Sequence, residues 1–148
     1  GAAPCRWGYF ATVQGPTAVL HAVAPVSLTS VEAANLVVAR CTRLDIFSYD
    51  EGARCLRLDC GHPINGRIAL LDVLRRPHDT DTLVLLTERR HLLVLGWDRT
   101  AGSLTTVAMG NLCDALCVHA LADAPLCACA PCGRLAALFS HEGVFHFL

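Results

Sequence analysis

The 148-residue sequence contains no lysine, and all 12 of its Lys+Arg residues are arginine. This absence excludes catalysis through a lysine Schiff base and nucleotide binding by a P-loop, because both need a lysine amine. Charged residues make up only 17% of the chain, and the formal net charge is -1. A chain so balanced has no general field for attracting phosphate backbones, so we expect nucleic acid to be contacted at most indirectly, through a partner.

The sequence also lacks a long uninterrupted apolar run. Trp7–Val31 has no charged residue, but Gln14-Gly15-Pro16, His21 and Pro25 interrupt it, whereas a membrane-spanning helix needs about 20 predominantly apolar residues. The segment has no signal-peptide core and cleavage site either. We therefore expect no membrane segment. Nine cysteines, an odd number, without secretory features indicate reduced thiols rather than disulfides.

The hydrophobic fraction of 53% and the mean hydropathy of +0.44 predict a well-buried core. Short apolar runs rich in β-branched residues alternate with polar or Gly/Pro turns, which predicts an all-β fold. The single helical candidate, Ser30–Ala34, is too short for a stable helix. The predicted strands are Phe10–Val13, Ala18–Val23, Asn35–Ala39, Arg43–Tyr49, Cys55–Cys60, Arg67–Leu74, Thr82–Thr87, His91–Trp97, Leu104–Ala108, Leu116–Ala120, Leu126–Ala130, Arg134–Ser140 and Val144–Leu148.

These strands repeat along the chain. Tight turns join three strand pairs, and the second strands begin at 43, 91 and 144, in steps of 48 and 53 residues. Units of roughly 40–50 residues with four strands each are typical of β-propeller blades. We therefore predict that residues 1–148 form a partial, WD40-like β-propeller of about three four-stranded blades, the last incomplete. Since propellers need roughly 4–8 blades, we expect a fragment of a longer protein.

Cysteine spacing offers a zinc alternative. Cys129 and Cys132 have the C-x2-C spacing of a zinc knuckle, and Cys113 with Cys117 would supply a second pair. However, Cys127 and Cys129 fall on one face of a predicted strand, where cysteine packs like a small hydrophobic residue. We expect neither a metal nor any other cofactor. If the chain does bind zinc, the candidate ligands are Cys113, Cys117, Cys129 and Cys132.

Other motifs do not assemble an active site, so we expect no catalytic residue and no enzyme. His141 and His146 are five residues apart, not the four of H-E-x-x-H, and on a strand they would face opposite sides. Trp97-Asp98 and the earlier Gly61-His62 are similar to the marks of WD repeats, and Asp79–Asp81 is predicted to be a polar loop. Four arginines at predicted hairpin turns are expected in solvated loops, with a partner contact as the alternative: Arg40, Arg43, Arg89 and Arg90.

Collinear stretches from about Tyr9 to Leu148 carry a family resemblance. In order and spacing they resemble the N-terminal segment of the large DNA damage-binding protein family, which is related to the A subunit of the cleavage and polyadenylation specificity factor. Two regions depart from the family pattern, Leu112–Ala124 and Cys127–Cys132. The stretches that carry the resemblance are Tyr9–Val19, Asn35–Arg40, Thr42–Phe47, Gly66–Leu70, Arg76-Pro77, Asp81–Thr87, Gly110-Asn111 and Glu142–Phe145.

The resemblance implies the first blades of an N-terminal propeller in a multi-propeller protein. It implies a non-catalytic adaptor of a cullin-RING E3 ubiquitin ligase in DNA damage recognition and repair. The partners implied are a cullin scaffold and WD-repeat substrate receptors, bound through the full-length protein, and the location is nuclear, with a cytoplasmic fraction left open. Pro16–Val19 and Thr42–Phe47 favour this family over the alternatives, an mRNA 3′-end processing or splicing paralogue. A small zinc-binding β module is the alternative from another class.

Overall fold

The computed structural model describes residues 18–112, 124–141 and 143–148. Within these ranges the chain forms eleven β-strands and no helix. The same ranges therefore contain no helix that is long and apolar enough to span a membrane. Ser30–Ala34 is a turn and bend, closed by a hydrogen bond from the Ala33 N–H to the Ser30 carbonyl. The predicted strands Phe10–Val13 and Leu116–Ala120 lie outside the described residues. The strands are β1 Val19–Val26, β2 Asn35–Arg40, β3 Arg43–Asp50, β4 Cys55–Pro63, β5 Ile68–Leu74, β6 Thr82–Thr87, β7 His91–Asp98, β8 Ser103–Asn111, β9 Leu126–Cys129, β10 Ala136–His141 and β11 Val144–Phe147.

The strands form three antiparallel sheets in which sequence neighbours are also spatial neighbours. Blade 1 has the order β1-β2-β3-β4, blade 2 the order β5-β6-β7-β8, and blade 3, in its described part, β9-β10-β11. The third strands of the blades begin at Arg43, His91 and Val144, the positions from which the repeat was inferred. The predicted fold class is therefore confirmed: an all-β propeller segment whose three described sheets do not close into a ring.

Matching turns recur in each blade. The turn between the second and third strands contains one residue in the left-handed region: Cys41 (φ 44°), Arg90 (φ 63°) or Gly143 (φ 72°). In blades 1 and 2 the third strand ends in an aspartate whose carboxylate accepts a backbone N–H from the next turn, Asp50 from Ala53 and Asp98 from Thr100. The aspartate of the Trp-Asp pair thus caps a hairpin turn.

Strand β6 lies between two hydrophobic cores. All six of its residues are buried, and the four between Thr82 and Thr87 are apolar, as is typical of a strand that is covered on both faces. Leu83 and Leu85 pack in the core between blades 1 and 2, and Val84 and Leu86 pack in the core towards blade 3. Because each fully buried Leu or Val stabilises the fold by about 1.5–3 kcal/mol, this strand holds the blades together.

A buried carboxylate joins blade 1 to blade 2. Asp81, only 4% exposed, accepts hydrogen bonds from the Ser27 N–H (2.9 Å) and the Arg76 N–H (3.2 Å). Its own N–H donates to the Ser27 carbonyl at 2.8 Å, and the Arg75 guanidinium lies 3.5 Å away. Asp79–Asp81 is a loop between β5 and β6, as predicted, and Asp79 is exposed. The sequence did not predict that the carboxylate of Asp81 is buried and accepts backbone N–H groups from two blades.

We predict that Asp81→Ala destabilises the junction of blades 1 and 2 by about 2–4 kcal/mol, because buried N–H donors lose a charged acceptor. Hydrogen exchange of peptides from β1 and β6 in the purified protein measures this as faster exchange. Asp79→Ala is the matched control, since it removes an exposed carboxylate from the same loop and should leave exchange unchanged. Equal effects of the two substitutions would contradict the assigned role.

Blades 2 and 3 meet at a close backbone approach. Gly133, in the turn after β9, has φ +67°, and a Cβ atom there would overlap the carbonyl oxygen of Arg75, which follows β5. Only glycine therefore fits this position, both by conformation and by space.

We predict that Gly133→Ala costs at least about 2 kcal/mol, from the left-handed backbone and from the clash with Arg75. The matched control is Gly143→Ala, which has φ +72° but nothing within 4 Å of its Cβ, and should cost only about 1 kcal/mol. Thermal unfolding of the purified variants measures the difference. If Gly133→Ala lowered the stability no more than Gly143→Ala does, the close approach of blades 2 and 3 at Gly133 would not contribute to stability.

Candidate protein-interaction surfaces

The face of blade 1 that points away from blade 2 carries apolar side chains in register. Leu36, Phe47 and Leu58 are cross-strand neighbours, and so are Tyr49 and Leu56. Tyr49 is 57% exposed and Leu56 53%. A row of apolar side chains this exposed is typical of a surface that another protein surface covers.

The outward face of blade 3 has the same character. Leu126, Phe139 and Phe145 are aligned across its three strands, and the two phenylalanine rings lie 4.9 Å apart between centroids. Phe147 extends the row and is 68% exposed. We refer to these two apolar surfaces as the end faces of the stack. They agree with the expectation that about three blades leave an open ring.

A groove separates the outer strands of blades 1 and 2. It encloses about 230 Å³ and has blade 1 residues from the end of β4, among them His62 and Pro63, on one wall. Blade 2 supplies His91 of β7 and Met109 of β8 on the other wall. Met109, the only methionine in the sequence, is 73% exposed. An exposed, flexible thioether beside two imidazoles suits a protein contact.

Two of the four arginines that were predicted to lie in solvated loops, Arg40 and Arg43, form ion pairs. Arg40 and Arg43 both pair with the buried Asp45, with Nε–carboxylate distances of 2.9 and 2.6 Å. Arg89 and Arg90 lie at the turn between β6 and β7. The pairs at Asp45 hold the blade 1 turn in place and leave their guanidinium groups only partly solvated.

The two histidines of the rejected zinc motif are close together after all. The prediction that they point to opposite faces of one strand is wrong, because the turn at Gly143 folds β11 back on β10 and brings the His141 and His146 rings to 6.1 Å. His141 also shares a hydrogen bond with Ser140 Oγ. Burial, with smaller effects of Arg90 and His146, lowers the pKa of His141. No third metal-ligand side chain among the described residues joins the pair.

Of the four zinc candidates, the described part of the chain contains Cys129 and Cys132, and these two do not belong to one group of three or more ligand atoms there. Cys129 lies beside Cys127, with the two sulfurs 3.9 Å apart, and the Asp72 carboxylate completes a group of ligand atoms within 4.8 Å of one another. Cys132 is exposed and lines a separate cleft with Arg76. Cys113 and Cys117 lie outside the described residues.

Sequence reasoning missed Asp72 because it belongs to another blade, 55 residues before Cys127. Cys127 and Cys129 are two residues apart on a predicted strand and therefore share one face. This spacing is the sequence signal that could have identified them as a pair of neighbouring thiols. Burial, followed by the nearby Asp72 carboxylate, raises the pKa of Cys127 to about 11. Burial and then the charges of Cys127 and Asp72 also raise the pKa of Cys129.

Sequential antiparallel blades that pack face to face, two of four strands and one with three described strands, define the class of this protein as a β-propeller segment. A profile described as the RSE1/DDB1/CPSF1 first beta-propeller matches residues 18–148, and the chain belongs to this family.

Three relatives show the similarity in more detail. The chain is 38% identical over 112 residues to DNA damage-binding protein 1 of Solanum cheesmaniae, and 40% identical over 110 residues to DNA damage-binding protein 1a of Arabidopsis thaliana. It is 38% identical over 109 residues to DNA damage-binding protein 1 of Oryza sativa subsp. japonica. Each match covers 73% of this chain and 10% of the relative. The resemblance seen in the sequence is confirmed, and family and fold together support a scaffold segment.

We predict that Met109→Glu reduces the recovery of copurifying partner proteins by about tenfold, because a charge on the wall of the groove costs about 1.4 kcal/mol or more of binding free energy. Quantitative mass spectrometry of material purified through a tag measures the recovery. The control is Val107→Glu, which places the same charge at an exposed apolar position of β8 outside the groove. Unchanged recovery with Met109→Glu would exclude the groove as a contact surface.

Proposed function

We propose that this chain is a non-catalytic scaffold segment of an adaptor for a cullin-RING E3 ubiquitin ligase that acts in DNA damage recognition and repair. The observation that carries the proposal is the 38–40% identity to proteins named DNA damage-binding protein 1, over 73% of the chain. We further propose that residues 1–148 are the first blades of an N-terminal propeller in a longer protein with a nuclear location.

The fold supports a geometric role rather than a chemical one. Two buried cores, on either side of β6, fix the three blades relative to one another. A rigid stack presents its loops and grooves in a constant arrangement, which lowers the entropy cost of partner binding. The partners proposed are a cullin scaffold and WD-repeat substrate receptors, and the groove between β4 and β8 is the surface most suited to a protein contact.

Charge supports an indirect relation to DNA. The net charge of -1 gives the chain no general attraction for phosphate. Within the described residues, several arginines are also neutralised by carboxylates, as in the pairs Arg57–Asp59 and Arg67–Glu88. We therefore propose that DNA is reached through a partner protein.

A second candidate function is mRNA 3′-end processing or splicing. The family profile names RSE1 and CPSF1 beside DDB1, so the propeller by itself is common to all three branches. The relatives described above favour the DNA damage-binding branch.

The two functions predict different partners. Affinity purification of the tagged protein from its own cells, after nuclease treatment, should recover a cullin, a RING subunit and WD-repeat proteins. Nuclease treatment serves as the control for partners bridged by nucleic acid. Recovery of polyadenylation or splicing factors without a cullin would overturn the ubiquitin-ligase proposal in favour of the second candidate.

A further inference from the structure

Three metal-ligand side chains converge where the first strands of blades 2 and 3 meet. Asp72 lies on β5, and Cys127 and Cys129 lie on β9, where alternate residues share one face. All three side chains are partly buried, and their ligand atoms lie within 4.8 Å of one another. This group, which we call the thiol-carboxylate cluster, is built by two strands from different blades.

The cluster is accessible from a cleft. Asp72 and Cys127 line an open cavity of about 300 Å³, together with His21 of β1. Solvent and small ions can therefore reach the ligand atoms. His21 faces the same cavity but does not belong to the group within 4.8 Å.

The three ligand groups of this cluster have the chemistry that suits a divalent cation. Two thiols that lose their protons and one carboxylate would together offer three negative charges to a bound ion, from ligand atoms that lie within 4.8 Å of one another. A divalent cation balances these charges, because thiols lose their protons when they coordinate a metal.

The spacing of the sulfurs fits tetrahedral coordination. Two thiolates bound to one zinc ion at about 2.3 Å and a tetrahedral angle have their sulfurs about 3.8 Å apart. Cys127 Sγ and Cys129 Sγ are 3.9 Å apart. Soft sulfur ligands select zinc over calcium or magnesium, which prefer oxygen ligands only.

We propose that Asp72, Cys127 and Cys129 bind a thiophilic divalent cation of the Zn²⁺ class, with a water molecule as the fourth ligand. On binding, each thiol transfers its proton to water as its sulfur–metal bond forms, and no electron is exchanged. The site links β5 to β9 and so braces blade 2 against blade 3. It differs from the sequence expectation, which placed no metal in the chain and named Cys113, Cys117 and Cys132 with Cys129 as the alternative. It does not depend on the proposed adaptor function.

The experiment compares zinc content and cobalt spectra of the purified protein and its variants. Elemental analysis should find one zinc ion per chain that disappears in Cys127→Ser/Cys129→Ser. Added Co²⁺ should give thiolate-to-cobalt charge-transfer absorption in the metal-free protein and not in this double variant. Asp72→Asn should weaken Zn²⁺ binding at least about tenfold, since it replaces a charged ligand by a neutral one.

Cys132→Ser is the matched control, because Cys132 is a nearby thiol outside the cluster, and it should keep the zinc and the cobalt spectrum. Cys127→Ala/Cys129→Ala serves as a second variant that preserves the packing if the serine hydroxyls disturb folding. Zinc content that is unchanged in both double variants would overturn the proposal. So would a Cys127–Cys129 disulfide in freshly purified, metal-free protein.

Discussion

The structure depends on one constraint: the central strand of blade 2 is apolar on both faces. All six residues of Thr82–Thr87 are buried, and the four between the two threonines are apolar, so the sheet that contains this strand must be covered on both sides. Blade 1 supplies one cover and blade 3 the other. A propeller is the architecture that satisfies this need for every blade in turn, because each sheet uses its two neighbours as its core.

Polar groups are accommodated differently at the two blade junctions. Between blades 1 and 2, the carboxylate of Asp81 accepts backbone donors from both sides, so the contact is directional and fixes the angle between the sheets. Between blades 2 and 3, Gly133 lets two backbone segments approach, and the thiol-carboxylate cluster lies at the inner strands. The first junction is complete with protein groups alone. The second brings together Asp72, Cys127 and Cys129, the three groups that we propose as ligands of a cation.

Local features of the fold could be predicted from the sequence, and contacts between blades could not. Strand periodicity and turn residues predicted the strands, including the third strands that begin at Arg43, His91 and Val144. These signals act within a few residues and are therefore visible in the sequence. The burial of Asp81 and its partners across blades depends on long-range packing that no local pattern encodes. The same holds for Asp72 beside Cys127, whereas the proximity of His141 and His146 was missed because a turn was treated as a continuous strand.

The exposed surfaces divide into two kinds with different consequences. The end faces are continuous apolar rows with aromatic side chains, such as Phe145 and Phe147, and resemble a protein core cut in half, which is typical of permanent contacts. The groove between β4 and β8 mixes an exposed methionine with imidazoles and is typical of contacts that form and dissociate. In a scaffold, the first kind would join neighbouring blades and the second would bind exchangeable partners. Partner exchange at the groove could then proceed without disturbing the cores that hold the blades together.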